Sequence, residues 1–155
     1  MDRKGTETVL YSFTGQADGA YPYGALIPDT AGNLYGLTEL AGTYGNGTLF
    51  KVTETGKATV LHSFAGGTTV GCNPDGGLIR DSDGNFYGTT EDCGAFGFGT
   101  VFKFSKSGKA TLLHSFAGGR DGKYPQLSNL VIDKEGSLYG VTALGVPPTK
   151  ELSTR

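Results

Sequence analysis

Three versions of one phrase constrain this chain more than any other feature: "DTAGNLYGLT" from Asp29, "DSDGNFYGTT" from Asp81 and "DKEGSLYGVT" from Asp133, each 52 residues after the last. Two further phrases keep nearly the same step. "TVLYSFTG" from Thr8 returns as "TVLHSFAG" from Thr59 and "TLLHSFAG" from Thr111, and "GTLFKVTETGKA" from Gly47 returns as "GTVFKFSKSGKA" from Gly99. A period of this length marks one structural unit that recurs and is stabilised by its neighbours. The spacing predicts one repeat domain over 1–142, comprising the last strand of a preceding unit at 7–13, unit one at 14–64, unit two at 65–116 and a partial unit three at 117–142. The repeat is lost after Thr142, where a tail of a different kind, 143–155, takes over; that loss points to a fragment of a longer array.

Within a unit, "GALIPD", "NLYGLT", "GTLFKV" and "KATVLHSF" are short, rich in β-branched and aromatic residues, and separated by Gly, Asp, Asn and Ser. That is the pattern of strands joined by turns. Asp can bond its own side chain to amides two residues on, and Gly supplies the positive φ that closes a hairpin, so "DTAGN", "DSDGN" and "DKEGS" are predicted turns. The fold class expected is all-β, with tandem four-stranded antiparallel units of about 52 residues resembling β-propeller blades. In the strand ending "LHSF", simple alternation places Val60, His62 and Phe64 on one face and Leu61 on the other. A β-solenoid or an open β-sandwich would also repeat strands, although solenoid coils are shorter than this period.

Several function classes are disfavoured by composition. The net charge is −2 and the 13 Lys and Arg are scattered, so no surface tracks a phosphate backbone and nucleic acid is not an expected partner. No apolar run approaches the roughly 20 residues of a membrane-spanning helix, and "MDRKGTETVL" lacks the apolar centre of a secretory signal, so the chain as written is expected in the cytoplasm. The 27 glycines come with 17 Phe and Tyr at regular places, which reads as turn chemistry in a folded protein.

In a meander, the links between units and those between second and third strands lie at one end. That end collects "QADGAYPY", "ELAGTYGNG", "TTVGCNPDG", "EDCGAFGFG" and "RDGKYP", and any binding site is expected there. Candidate ligand contacts are Tyr21, Tyr23, Tyr44, Phe96, Phe98 and Tyr124, whose rings suit sugar faces, with Asp75, Glu91, Asp92 and Asp121 beside them, although plugging the blade junctions is the plainer reading of the rings. Together with Asp18 and Glu39, these carboxylates could also supply the pair used in glycoside hydrolysis, which needs a separation of about 5 to 10 Å; solvated turn formers are the plainer reading. Cys72 and Cys93 both fall in these loops, where a disulfide and two free thiols are equally compatible with the spacing. No metal, cofactor or catalytic constellation is predicted: His62 and His114 hold the repeat position of Tyr11, which reads as a slot for a planar side chain.

The combination of "SF.GG.DG.YP", "D..GNLYG.T" and "G.GT.FK" in fixed order resembles the GloVer-type (Gloeo/Verruco) tandem repeat of large bacterial surface-anchored proteins, in two full copies and a half. The resemblance implies an extracellular, propeller-like array with no shared catalytic residues. The expected function is thus a binding or structural repeat module of a surface protein, recognising glycan or protein through the loops at one end. The competing class is a glycoside hydrolase or other hydrolase using loop carboxylates. Partial units leave open sheet edges, so a homodimer that closes a ring of about six blades is also expected.

Overall fold

The computed structural model describes residues 5–126 and 129–145, and the remainder of the tail and residues 1–4 and 127–128 of the expected domain lie outside it. The described residues are all-β, with one short 3-10 turn at Gly119–Asp121 and no α-helix. Strands β1 (Ile27–Pro28), β2 (Leu34–Thr38), β3 (Thr48–Val52) and β4 (Ala58–Ser63) form one antiparallel sheet in sequence order. Strands β5 (Ile79–Arg80), β6 (Phe86–Thr90), β7 (Thr100–Phe104) and β8 (Ala110–Ser115) form a second with identical connectivity. β9 (Val131–Ile132) and β10 (Leu138–Tyr139) repeat the first hairpin once more.

The recurrent phrase owes its form to one carboxylate. Asp29 accepts the N–H groups of Ala31 and Asn33, the Asn33 amide and the Tyr35 hydroxyl, all at 2.8–3.0 Å. Asp81 does the same with Asn85 and Tyr87, and Asp133 with Glu135, Ser137 and Tyr139. The aspartate therefore satisfies the turn amides and also fixes the tilt of a tyrosine six residues on. Gly84 closes its turn at φ 88°, a conformation that a β-branched residue resists.

At the other end of the hairpin, a buried threonine pair joins strands two and three. Thr38 and Thr48 hydroxyls are 2.9 Å apart and Thr90 and Thr100 hydroxyls 2.7 Å apart, all four side chains inaccessible. Thr100 also donates to the Val70 carbonyl at 2.8 Å, anchoring the incoming loop. Gly71 (φ 100°) lies so close to this pair that a Cβ there would sit 2.0 Å from the Thr90 hydroxyl oxygen.

One continuous core crosses from sheet to sheet. Leu37, Leu49 and Phe64 of the first join Leu78, Phe86, Phe102 and Phe104 of the second, with Ile27 and Tyr35 against them. Ring centroids of Phe64 and Phe102 are 5.2 Å apart, and those of Tyr35 and Phe86 4.6 Å. The equivalent pair Phe13 and Phe50, at 4.8 Å, brings residues 7–13 onto the first sheet, although that segment, expected as a strand, has no strand ladder among the described residues.

One reading of the fourth strand is corrected. Phe50 pairs with Val60 but Leu49 pairs with His62, so Leu61 is an extra residue in a β-bulge, and Leu113 is its counterpart in β8. Because Leu49 and Phe50 face opposite ways, Val60 and His62 do as well; the bulge breaks the alternation that the sequence suggests. His62 and Phe64 do share a face, with rings 5.0 Å apart.

Hydrogen bonds hold the turn aspartates in their charged form. Asp29 is lowered to about 2, chiefly by the Asn33 side chain; for Asp81, burial pushes upward but bonds from Asn85 and Tyr87 prevail and bring it to about 2. A carboxyl with a depressed folded pKa contributes stability above its ordinary range, and that contribution disappears as pH falls through the folded value. Replacing Asp81→Ala should therefore cost about 1–2 kcal/mol at neutral pH, for several lost bonds at a partly buried turn. In urea titrations, the gap between variant and parent should be constant from pH 7 to about 5 and shrink steadily from about pH 4 toward 2.

Candidate functional site

The inter-unit links and the loops between second and third strands meet at one end of the sheets. Gly42 N–H donates to the Gln16 carbonyl and Gly94 N–H to the Gly67 carbonyl, both at 2.8 Å. Isolated antiparallel bridges join Ala20 to Leu40, Cys72 to Asp92 and Lys123 to Leu144, at equivalent positions of the repeat. At each junction a non-glycine residue is held at positive φ: Tyr21 at 58°, Asn73 at 56° and Tyr124 at 54°. Such a backbone costs of order 1–3 kcal/mol and persists where the surroundings demand it. At Asn73 and Tyr124 the demand comes from hydrogen bonds to the preceding unit, and at Tyr21 its carbonyl accepts from Glu39 N–H within the same unit. Asn73 N–H donates to the Asn46 carbonyl and Tyr124 N–H to the Phe98 carbonyl, while the Asn73 and Tyr124 carbonyls accept from Glu91 and Ala143.

Onto this common frame each unit places different side chains. Ala20, Cys72 and Lys123 are equivalent, as are Ala41 and Cys93, so the second unit carries a disulfide where the first has two alanines. Cys72 and Cys93 are bonded, with Cα atoms 5.5 Å apart and a sequence separation of 21. Closing a loop of that length contributes about 3 kcal/mol in the chain-entropy account.

A second variable position is Tyr23, Asp75 and Gln126. Across the junction from unit two to unit three, Gln126 donates its side-chain amide to Glu91. Across the preceding junction, Glu39 takes the place of Glu91 and Asp75 that of Gln126, so two carboxyls stand where the next junction has a carboxyl and an amide. The Glu39 carboxyl is pushed up first by burial and then by the charges of Glu91, Asp75 and Asp92. Asp92 is pushed up by burial and by Glu91, and Asp75 itself is only 7% exposed. The fold thus gathers Asp75, Glu91 and Asp92 with Glu39, which spacing alone does not reveal, since the partners come from different units. No group of three or more His, Cys, Asp or Glu able to hold a metal is found among the described residues.

The expected aromatics form two groups and two single rings. Tyr21 and Tyr23 stack at 5.9 Å and are 54% and 61% exposed. Phe98 and Tyr124 meet edge to face at 5.8 Å beneath the Lys123 ammonium, which lies 5.2 Å and 5.5 Å from the two rings. Tyr44 and Phe96 stand exposed at loop tips. Lys123, neither a carboxylate nor a ring, also belongs to this surface; its signal in the sequence is its place beside Tyr124 in "DGKYP".

Asp121 is held by donors of its own unit and the strand before it. It accepts from the Ala117 N–H at 2.7 Å and lies 3.0 Å from His114 Nε2, just as Asp18 accepts from Thr14 and from the Tyr11 hydroxyl. Burial pushes the Asp18 pKa upward, but the Thr14 hydroxyl and amide and the Tyr11 hydroxyl bring it down to about 2. The unit-two equivalent of these aspartates is Val70, buried in the core. His62 consequently has no such carboxylate, its Nε2 is buried without a hydrogen-bond partner, and burial lowers its pKa.

Fold and site together define a tandem-repeat all-β protein that varies its chemistry at one loop end. The chain belongs to the Gloeobacter/Verrucomicrobia repeat family, whose pattern matches residues 1–150. No curated protein matches it.

The crowding of Glu39 among Glu91, Asp75 and Asp92 has a measurable consequence. A raised folded pKa means that the folded state holds the proton more tightly than the unfolded chain, so stability falls as pH rises through the window above the ordinary glutamate value. Glu39→Gln, which copies the Gln126–Glu91 pairing, should raise the melting temperature at pH 7 by a few degrees and give little change at pH 3.5. Thermal denaturation at the two pH values checks this.

Proposed function

We propose that this chain is a non-catalytic binding and structural repeat module of an exported bacterial surface protein, its units arranged as propeller blades within the boundaries given above, and that its loop end binds glycan. The observation that carries this reading is the pair Tyr21 and Tyr23, stacked, more than half exposed, and mounted on a backbone held at positive φ. Rings buried for stability would not be left in solvent, and flat apolar faces flanked by carboxylates and amides suit the faces and hydroxyls of sugars. Tyr44 and Phe96, exposed at the same end, extend the surface. The disulfide supports an oxidising, extracytoplasmic setting, as does the family's surface-protein resemblance. No described helix is long and apolar enough to cross a membrane.

Isothermal titration against a panel of bacterial and algal polysaccharides tests the proposal. At least one should bind, and Tyr21→Ala or Tyr23→Ala should weaken it by about tenfold while leaving the melting temperature within a few degrees. Binding that survives both substitutions, or capture of a protein ligand with no glycan bound, would contradict it. A hydrolase is the second reading, favoured by the raised Glu39 carboxyl among Asp75, Glu91 and Asp92. Turnover of chromogenic glycosides that disappears in Glu39→Gln would establish that reading in place of the first.

A further inference from the structure

Counterparts of both halves of the chain's own inter-unit contact recur on its outer faces, one as a groove floored by the buried Phe50 and open at Leu26, the other as an exposed face. Inside the molecule, Ile27, Tyr35 and Leu37 of the first sheet share a core with Leu78, Phe86 and Phe102 of the second. One repeat earlier, the counterparts of the second set are Leu26, Leu34 and Phe50. They line a groove of about 420 Å³ together with Val9 and Leu10. Leu26 is 49% exposed, where its counterpart Leu78 is 6% exposed. Two repeats later, the counterparts of the first set are Val131, Tyr139 and Val141, which are 62%, 58% and 73% exposed.

We propose that a second copy of this chain docks head to tail, setting Val131, Tyr139 and Val141 of one copy against the Leu26–Leu34 groove of the next. Two features commit the groove to this occupant. The interior junction is the same contact already made by this sequence, with equivalent residues on both sides. The incoming side is also preorganised: the Tyr139 hydroxyl bonds Asp133 at 2.9 Å as the Tyr35 hydroxyl bonds Asp29 at 3.0 Å, so the Tyr139 ring is presented in the manner of the ring that meets Phe86 at 4.6 Å. Its partner across copies is Leu34. Because the two surfaces differ, the contact is heterologous, and two chains can satisfy both junctions by closing one ring. This inference does not rest on glycan binding, since the docking faces and the exposed loop tyrosines are separate surfaces.

Sedimentation equilibrium of the full 155-residue chain, of Val141→Asp, of Leu26→Asp and of an equimolar mixture of the two variants provides the test. The parent should sediment as a multiple of its 16.1 kDa mass. Each variant alone should be monomeric, having lost one half of the contact, with circular dichroism like the parent's. Their mixture should recover a 1:1 complex through the intact groove of one and the intact face of the other. Should Leu26→Asp fail to fold, Val9→Asp, on the same groove, takes its place. A monomeric parent at all concentrations, variants that associate like the parent, or a mixture that remains monomeric would each overturn the proposal.

Discussion

The contact on which the rest of this structure depends is the one between consecutive sheets, where Phe64 meets Phe102 and Tyr35 meets Phe86. A four-stranded sheet of this composition has apolar residues on both faces and cannot hide them alone. The outcome is visible in the burial of the strands. Every residue of β6 is buried, whereas its counterpart β2 is buried over only its last three. Full burial of a phenylalanine contributes about 2–3 kcal/mol, and both Phe64 and Phe102 are 1% exposed.

With the sheets locked by their faces, the hairpin ends are free to specialise. The Asp–Tyr turns at one end are nearly identical in all three units and serve the fold. At the other end, the backbone is equally constant, down to the positive φ shared by Tyr21, Asn73 and Tyr124, but the side chains diverge. Ala20, Cys72 and Lys123 occupy one position, Tyr23, Asp75 and Gln126 another, and Asp18, Val70 and Asp121 a third. One scaffold therefore presents stacked rings, a cluster of carboxyls and a cation over two aromatics in successive units. This division between a repeated frame and varied tips is the arrangement expected when stability and recognition are placed on different residues.

Much of this was legible in the sequence because the determining signals are local. The turn at Asp81 is written within "DSDGN", the strand in "NFYGTT" is bounded by glycine, and the planar slot shared by Tyr11, His62 and His114 follows from alignment of the copies. The bulge at Leu61 was not legible: "TVLHSF" reads as regular alternation, and only its pairing with β3 exposes the extra residue. Nor were the partners of Asp121, since the sequence places it in a loop but does not show that His114 and the Ala117 amide bond it. The gathering of Glu39 with Asp75, Glu91 and Asp92 depends on how one unit sits against the next, and a repeat period carries no such proximity. Spacing left the state of Cys72 and Cys93 open; the loops that hold them bring their Cα atoms to 5.5 Å.

If contact between sheets is what holds the molecule, loosening it must loosen both sheets at once. Amide hydrogen exchange on Phe64→Ala is the direct measurement, since this truncation should cost about 3–5 kcal/mol. Protection in β2 and β3 should fall together with protection in β6 and β7, by similar factors, although residue 64 lies in neither set. Loss confined to the amides around residue 64, with β6 and β7 as protected as in the parent, would contradict the dependence of each unit on its neighbour.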